Sequence, residues 1–195
     1  NATGTQIGVF RDEVLVGTMV LSDQTRPDSK AAISRLRSLG LEIHLLSGDA
    51  PGPVQNVAKQ TGIDKWKARA SASPEKKARV VQAAPMSLMV GDGANDAVAL
   101  ASAHVSVAVQ GGMEMSMRAA GAYSSKPGIS PIYSLLVVSR ETMRVIHRNL
   151  GFAVLYNIVG LGVALTGHLD PLFAAILMPA SALTVFLSTI AGTSP

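Results

Sequence analysis

Short apolar runs alternate with amphipathic stretches through the middle of the chain. The runs predict strands at 41–46, 67–70, 86–90, 105–109 and 122–124. The stretches between them have helical spacing and predict helices at 53–60, 74–83, 95–102 and 114–120. Strict alternation of strand and helix is typical of the doubly wound α/β class, in which helices cover both faces of a parallel sheet.

Two further elements precede this region. The runs Gln6–Phe10 and Val14–Val20 are joined by three polar residues and predict a β-hairpin. A helix is predicted over Asp28–Ser38, because Pro27 suits its first turn. We therefore expect a boundary between the hairpin and the α/β region near residue 22.

Two long apolar runs dominate the last quarter of the chain. Leu150–Thr166 and Pro171–Ala191 contain no charged residue, and each is about as long as the roughly 20 residues that span a bilayer core. The four residues 167–170 join them, which predicts a tight transmembrane hairpin. The alternative is a pair of buried helices in a soluble core, although such helices more often carry a polar stripe.

Basic residues before the first apolar run predict its orientation. Ile129–His147 has helical spacing, and Arg140, Arg144 and Arg148 lie on the side that leads into the run. The joining loop has no Lys or Arg, so the soluble part is expected in the cytoplasm of a multi-pass membrane protein. Residues 128–148 then predict a stalk helix, with a surface helix of the soluble domain as the alternative.

Charge and cysteine content narrow the class further. The 17 Lys and Arg against 13 Asp and Glu give a net charge of +4, which is modest, and no nucleic-acid partner is expected. The chain contains no cysteine, which excludes disulfides and thiolate metal sites within it. It begins at Asn1 without a signal peptide or an initiator methionine, and we expect it to be a fragment.

Two acidic residues follow the third strand of the α/β region. Asp92 lies between two glycines at the end of that strand, and Asp96 follows about one helical turn later with Asn95 beside it. Carboxylates at the carboxyl edge of a parallel sheet form a seat for Mg²⁺ facing a phosphate. The alternative is a tight turn with two solvated acids.

Two other motifs suit a phosphate group. Ser47, Gly48 and Asp49 follow the first strand of the α/β region and precede a helix. A hydroxyl and backbone amides at such a turn attract phosphate oxygens, because a helix N-terminus carries partial positive charge. Ser73 opens the next helix, and Lys77 in its first turns would bring a positive charge to the same phosphate.

The three motifs together, SGD, SPEKK and GDGANDAVAL, resemble in content and order the second half of the phosphorylation domain of P-type ATPases. That family is a branch of the haloacid dehalogenase superfamily. The resemblance covers residues 23–195. Ser47 replaces the commoner threonine but keeps the hydroxyl, and Val98 stands where proline is commonest.

The resemblance implies a role for each residue of the acidic motif and its partners. Asp92 would be the main Mg²⁺ ligand, with Asp96 and Asn95 completing or orienting its shell. Ser47 and Lys77 would bind the phosphoryl group that is transferred from ATP. The Gly48 amide would hold a phosphoryl oxygen beside the Ser47 hydroxyl, and Asp49 would mainly shape their turn.

The resemblance also implies what lies outside this sequence. In P-type ATPases an aspartate in a DKTGT motif accepts the γ-phosphoryl group of ATP, and this chain has no such motif. We therefore expect ATP to act through missing N-terminal domains or a full-length pump, and the chain alone not to turn over ATP. The implied parts are the end of the nucleotide-binding domain (1–22), the C-terminal part of the phosphorylation domain (23–127), the amphipathic stalk (128–148) and the transmembrane hairpin (149–195).

The apolar runs resemble the last two spans of heavy-metal-transporting P-type ATPases. RNLGFAVLYN in the first run and MPASALTV in the second carry this resemblance. It implies contacts to a transported transition-metal cation from Tyr156, Asn157, Met178 and Ser181. From the residues alone, the alternative is helix–helix packing through Asn, Ser and Met.

The cargo implied by these spans is Cu(I). The thioether of Met178 is a soft ligand that suits Cu(I). Ala182 stands where the copper pattern has a second serine, and the acidic residue of the zinc pattern is not found beside Met178. Besides a copper pump, two functions stay open: a membrane-tethered relic that regulates a full-length pump, and a soluble phosphatase of the same superfamily.

Overall fold

The computed structural model describes residues 5–21, 24–92, 94–110, 118–167 and 171–193. The chain divides into two compact units, residues 1–133 and 134–195. The first unit contains the hairpin and the α/β region, and the second contains helical structure only within its described residues.

The predicted hairpin is confirmed. Strand β1 (Thr5–Arg11) pairs antiparallel with β2 (Val14–Leu21). Asp12 and Glu13 form the turn with φ of 46° and 64°, which is the positive-φ backbone of a tight two-residue hairpin turn.

Five short strands form two parallel ladders. Strand β3 (Leu45–Leu46) pairs with β4 (Ala68–Arg69). Strand β5 (Leu88–Gly91) pairs with β6 (Val105–Val109), and β6 pairs with β7 (Ala122–Ser124). The parallel α/β class predicted from the alternation is therefore confirmed.

The first predicted strand of this region was too long. The sequence predicts a strand over 41–46, but only Leu45 and Leu46 pair with a neighbour. The neighbouring strand β4 has two residues, so it offers backbone partners to only two residues of β3. Before them, Glu42 and His44 contact each other through their side chains at 3.2 Å instead of extending the ladder.

Helices connect the strands as expected. They are α1 (Ser29–Ser38), α2 (Pro51–Thr61), α3 (Pro74–Gln82) and α4 (Ala97–Ser102). The start of the predicted helix at 95–102 is instead a 3-10 turn, Ala94–Asp96, that precedes α4. The predicted helix at 114–120 lies largely outside the described residues.

Two apolar clusters form the core of the α/β region. The first joins α1, α2 and β4 through Ile33, Val54, Ala58, Ile63 and Ala68. The second joins α3, β5 and α4 through Val81, Met89, Ala99 and Leu100. Leu46, the last residue of β3, packs against the second cluster. Side-chain packing therefore connects the end of β3 to the layer that contains β5, although the two strands belong to separate ladders.

One long helix follows the α/β region. Helix α5 runs from Ser130 to Leu165 without interruption. The sequence predicts a helix over 129–147 and a separate span from 150, and the structure shows that one helix includes both. Ile132 in its first turn is 1% exposed and so belongs to the core of the first unit.

A second apolar helix, α6 (Pro171–Thr193), completes the chain and contains Pro179 in its interior. Within the described ranges, α5 alone is long and apolar enough to cross a membrane by length and composition. Within the described part of α6 the apolar stretch is Pro179–Ile190, which is shorter than a membrane span. The loop residues 168–170 lie outside the described residues.

Candidate functional site

Ser47 and Asp49 form a closed turn directly after β3. The Ser47 hydroxyl donates to Asp49 Oδ2 at 2.8 Å, and the Asp49 amide donates back to Ser47 Oγ at 3.2 Å. Gly48 lies between them, and a Cβ added there would be 3.8 Å from the Ala72 carbonyl oxygen. The carboxylate of Asp49 thus orients the hydroxyl that the sequence assigned to phosphate binding.

Backbone hydrogen bonds attach this turn to the loop after β4. Ser47 donates to the Arg69 carbonyl at 3.0 Å and accepts from the Ala72 amide at 2.9 Å, and the Ser71 amide donates to the Asp49 carbonyl at 2.8 Å. Ser71 has φ of 49°, a left-handed conformation that costs a non-glycine residue free energy. We call these three bonds the loop zipper, because they attach the Ser47 turn to the loop that leads into α3.

Ser73 caps the N-terminus of α3. Its hydroxyl accepts from the Lys76 amide at 3.3 Å, and Pro74 occupies the first helical position, as is common at helix starts. A hydrogen bond with the Ser73 side chain, followed by one from the backbone amide of Glu75, lowers the pKa of the Glu75 carboxyl below its ordinary value of 4.5. The cap fixes where α3 begins and so where Lys77 emerges.

Lys77 and Asp96 form a shielded ion pair. Lys77 Nζ lies 2.7 Å from Asp96 Oδ1, and the two side chains are 9% and 14% exposed. In the part of the chain that the structure describes, Lys77 is the one charged residue that is buried. Gly91 at the end of β5 makes room for Asp96, since a Cβ there would lie 2.8 Å from Asp96 Cβ and 2.9 Å from its Oδ2.

The two other polar residues of the acidic motif face solvent. Asp92 directly follows β5 and is exposed, and Asn95 in the 3-10 turn is exposed as well. Gly93 lies outside the described residues. The motif therefore presents one carboxylate to solvent and holds the other against Lys77.

Four of the predicted residues form two bonded pairs. Ser47 is bonded to Asp49, and Lys77 is bonded to Asp96. The loop zipper and the Ser73 cap connect the groups through the backbone. Sequence reasoning did not assign a role to Ser71 or to the Ser73 hydroxyl; serine before proline at a helix start was the signal available for the cap.

The donor set fits Mg²⁺. Carboxylate oxygens at a strand end are the ligands that this ion prefers, and it commonly takes only one or two carboxylates, with waters and phosphate completing its shell. Asp92 offers an accessible carboxylate, and Asp96 a second one that Lys77 orients. Among the described residues no group of three or more His, Cys, Asp or Glu residues could hold a metal ion, so the site does not resemble a closed structural zinc centre.

The residues assigned to the transported ion lie in the helical unit. Tyr156 on α5 and Ser181 on α6 are half-buried, whereas Asn157 is exposed. The side chain of Met178 lies outside the described residues.

Comparisons with known proteins identify the first unit. Residues 3–104, just over half of the chain, match a family model described as haloacid dehalogenase-like hydrolase. The chain is 35% identical over 188 residues to a probable cation-transporting ATPase of Haemophilus influenzae, which covers 94% of this chain and 26% of that protein. It is 33% identical over 190 residues to the probable copper-importing P-type ATPase A of Enterococcus hirae, with 95% and 26% covered. The chain thus spans about a quarter of the length of these relatives.

A solved structure is similar to the chain over both units. The crystal structure of a zinc-transporting PIB-type ATPase matches 99% of this chain and 32% of its own, with a TM-score of 0.84 and 26% sequence identity. The chain belongs to the haloacid dehalogenase-like hydrolase family, and its homologues over most of its length are heavy-metal P-type ATPases.

Proposed function

We propose that the chain provides the Mg²⁺ and phosphate half-site and the last two membrane spans of an ATP-driven pump for a heavy-metal cation, most simply Cu(I). The Lys77–Asp96 ion pair carries this proposal. A lysine and an aspartate 19 positions apart in the sequence are bonded at 2.7 Å, and both come from motifs assigned to phosphate and Mg²⁺ binding.

The solvent exposure of each acidic residue determines its proposed role in the half-site. Asp92 is accessible and would be the direct Mg²⁺ ligand, while Asp96 is held by Lys77 and would orient the metal's shell together with Asn95. Mg²⁺, when bound, would neutralise charge on the phosphoryl group. Lys77 would stabilise negative charge on the same group as a preoriented cation.

The Ser47 turn would hold phosphoryl oxygens. The Ser47 hydroxyl has a donor position set by Asp49, and the Gly48 amide lies in the same turn. A phosphoryl oxygen would replace Asp49 Oδ2 as the acceptor of the single hydroxyl proton, while the Asp49 amide could continue to donate to Ser47 Oγ. Asp49 therefore acts on the orientation of the donor and not on the reacting atoms.

The nucleophilic aspartate and the ATP-binding residues would come from preceding domains. The chain spans about a quarter of its curated relatives, and it has no DKTGT motif. In this arrangement residues 1–22 end the nucleotide-binding domain, 23–127 complete the phosphorylation domain, 128–148 form the stalk and 149–195 form the hairpin. The soluble part is cytoplasmic, since Arg140, Arg144 and Arg148 precede the first span.

Cu(I) is favoured over Zn²⁺ as cargo by the residues available. Two curated relatives are named for copper and cation transport, whereas the solved relative is named for zinc. Residues 171–195 contain no Asp or Glu, and Met178 supplies a thioether. Soft sulfur ligands select Cu(I), whereas Zn²⁺ sites use carboxylate, imidazole or thiolate.

A chimeric pump tests the proposal. This chain replaces the corresponding segment of the Enterococcus hirae relative, and ATP hydrolysis is measured in membranes with Cu(I), Ag(I) or Zn²⁺. We expect stimulation by Cu(I) and Ag(I) and not by Zn²⁺. Asp92→Asn in the chimera should lower the stimulated rate by about a hundredfold or more.

One control variant and two possible results show how the proposal could be contradicted. Thr184→Val removes only a hydroxyl bonded to the Ala180 carbonyl within α6 and should keep the stimulated rate. A chimera that inserts into the membrane and binds nucleotide, but shows no metal-stimulated hydrolysis, would contradict the pump function. Stimulation by Zn²⁺ alone would keep the pump and overturn the choice of cargo.

A further inference from the structure

Polar side chains join α5 and α6 at one end of the helical unit. Asn149 Nδ2 donates to Thr189 Oγ1 at 2.8 Å, and Ser188 Oγ donates to Asn149 Oδ1 at 2.8 Å. The Arg148 guanidinium donates to the Ser188 carbonyl. One amide side chain thus satisfies a donor and an acceptor on the opposite helix. Hydrogen bonds between helices are a main source of helix pairing in lipid.

Gly192 lies at the same end and fits closely against α5. A Cβ there would lie 2.7 Å from Val145 Cγ2 and 2.6 Å from Arg148 Nη2. The glycine therefore lets α6 approach the Val145 position, as small residues do at membrane helix interfaces. We call Arg148, Asn149, Ser188, Thr189 and Gly192 the register clamp.

A line of less exposed positions continues from the register clamp along both helices. Less exposed positions recur at intervals of three or four residues, on α5 at Val145, Asn149, Ala153, Tyr156, Gly160 and Val163. On the described part of α6 they are Ser181, Val185, Ser188 and Gly192. This spacing is the heptad seam of two helices that pack side by side.

The clamp fixes which seam positions face each other. Asn149 meets Ser188, and the helices are antiparallel here, because Val145 before Asn149 meets Gly192 after Ser188. Tyr156 follows Asn149 by seven residues, and Ser181 precedes Ser188 by seven. Seven residues are about two helical turns, so both positions return to the seam at the same level.

We propose that the register clamp positions Tyr156 opposite Ser181. The clamp residues are then positioning residues for the two side chains that the proposed function assigns to the transported ion, and the inference rests on that function for its consequence. A slip by one helical turn would separate Tyr156 from Ser181 by about 5 Å along the helices. None of the clamp residues is among those assigned to the transported ion.

Disulfide trapping tests the register, because the natural chain has no cysteine. The seam pair Ala153→Cys with Val185→Cys is compared with Ala153→Cys with Ala182→Cys, an exposed position about one turn away. In the full chain in detergent, the seam pair should cross-link faster. Asn149→Leu should reduce the ratio of the two rates by about ninefold, because each lost interhelical bond changes an equilibrium by about threefold.

A matched pair of variants separates register from helix stability. Thr189→Val and Thr184→Val each remove a hydroxyl that donates to the carbonyl four residues earlier, but only Thr189 also accepts from Asn149. Thr189→Val should lower the cross-linking ratio about threefold, and Thr184→Val should leave it unchanged. Asn149→Asp, which keeps an acceptor for Ser188 and loses the donor, should give an intermediate ratio.

Two outcomes decide the proposal. If Asn149→Leu lowers the melting temperature but keeps the ratio, the residues only stabilise the helices and the register clamp is overturned. If the ratio falls, the clamp is supported whether or not the chain binds Cu(I). Titration of the same chains with Cu(I) then tests the proposed cargo separately, and an unchanged affinity after loss of register would overturn the link between the clamp and the ion.

Discussion

Lys77 Nζ and Asp96 Oδ1 lie 2.7 Å apart, and both side chains are almost fully shielded from solvent. Lys77 lies near the capped N-terminus of α3, and Asp96 is the last residue of the 3-10 turn after β5. A buried charge is tolerated when its partner is fixed. This pair therefore ties the helix that carries the lysine to the strand end that carries the acidic motif.

Removing one member of the pair should be costly. Lys77→Met leaves the shielded Asp96 carboxylate without its partner, and we expect a loss of about 3–5 kcal/mol in unfolding free energy. The double variant with Asp96→Asn should lose less than the sum of the single variants. Hydrogen exchange of β5 and β6 amides measures these changes. Additive losses would show that the two groups are not coupled.

Lys67 provides the control for this measurement. Its amino group pairs with Glu42 at 3.1 Å, but the Glu42 side chain is 59% exposed. Because solvent screens such a pair, Lys67→Met should lower the unfolding free energy much less than Lys77→Met does. A loss as large as that of Lys77→Met would mean that burial does not distinguish the two ion pairs.

Gly91→Ala should displace the Asp96 carboxylate. The added Cβ would lie 2.8 Å from Asp96 Cβ, so the side chain must move away from its present position. We expect the Mg²⁺ affinity of the chain to fall by about tenfold, as for changes in groups that orient a metal ligand. Calorimetric titration with Mg²⁺ measures it.

Gly52→Ala is the matched glycine control. An added Cβ at Gly52 meets no atom within 4 Å, and the residue lies in the first turn of α2. Mg²⁺ affinity should stay unchanged. Equal losses in the two alanine variants would refute the role of Gly91 in making room for Asp96.

Ser73→Ala should weaken the start of α3 and change the titration of Glu75. Loss of an N-cap serine costs about 1 kcal/mol. The pKa of Glu75 is lowered first by its hydrogen bond with the Ser73 side chain, so the variant should raise it toward 4.5. Carboxyl chemical shifts in an NMR titration measure this.

The stability that Glu75 contributes should decrease as the pH falls. Because the folded-state pKa of Glu75 is lowered, its contribution to stability is present above the unfolded-state value of 4.5 and is lost as pH falls through the folded-state pKa. Glu42 is the internal control, since Lys67 lowers its pKa. The Ser73→Ala variant should leave the Glu42 titration unchanged; a parallel shift would point to a general loss of structure.

Ser71→Gly should stabilise the loop zipper. Ser71 has a left-handed backbone with φ of 49°, which glycine adopts without the Cβ penalty of about 1–2 kcal/mol per residue. Ser71→Val should destabilise the loop, because a β-branched side chain is least tolerated there. Protection of the Ala72 amide, which donates to the Ser47 carbonyl, reports both effects. Greater protection in the valine variant would contradict the strain argument.

The alternation of strands and helices predicted the parallel α/β class, but the sequence did not predict the bonded pairs. Lys77 and Asp96 were each assigned to the site, yet nothing in their spacing predicts that they contact each other. The contact depends on how α3 and α4 pack through Val81 and Leu100. Local propensity also could not limit β3 to two residues, because its length depends on the partner strand.

For the two helices of the second unit, too, the sequence predicted the elements but not the contacts between them. Apolar length predicted two helices, and the structure contains α5 and α6. The role of Asn149 was not predicted, since an asparagine at the edge of an apolar run is compatible with solvent, with lipid headgroups or with a neighbouring helix. Its partners Ser188 and Thr189 are about 40 positions away and are adjacent only after the hairpin has formed.

Pro179 gives α6 one point of low bending stiffness. Proline has no amide hydrogen, so it cannot donate to the Ala175 carbonyl as an ordinary residue would. Flexure at this point therefore breaks one hydrogen bond fewer than flexure elsewhere in the helix. The segment after Pro179 is anchored through Ser188 and Thr189, so a bend would swing the preceding segment, with Met178, around a stationary C-terminal half.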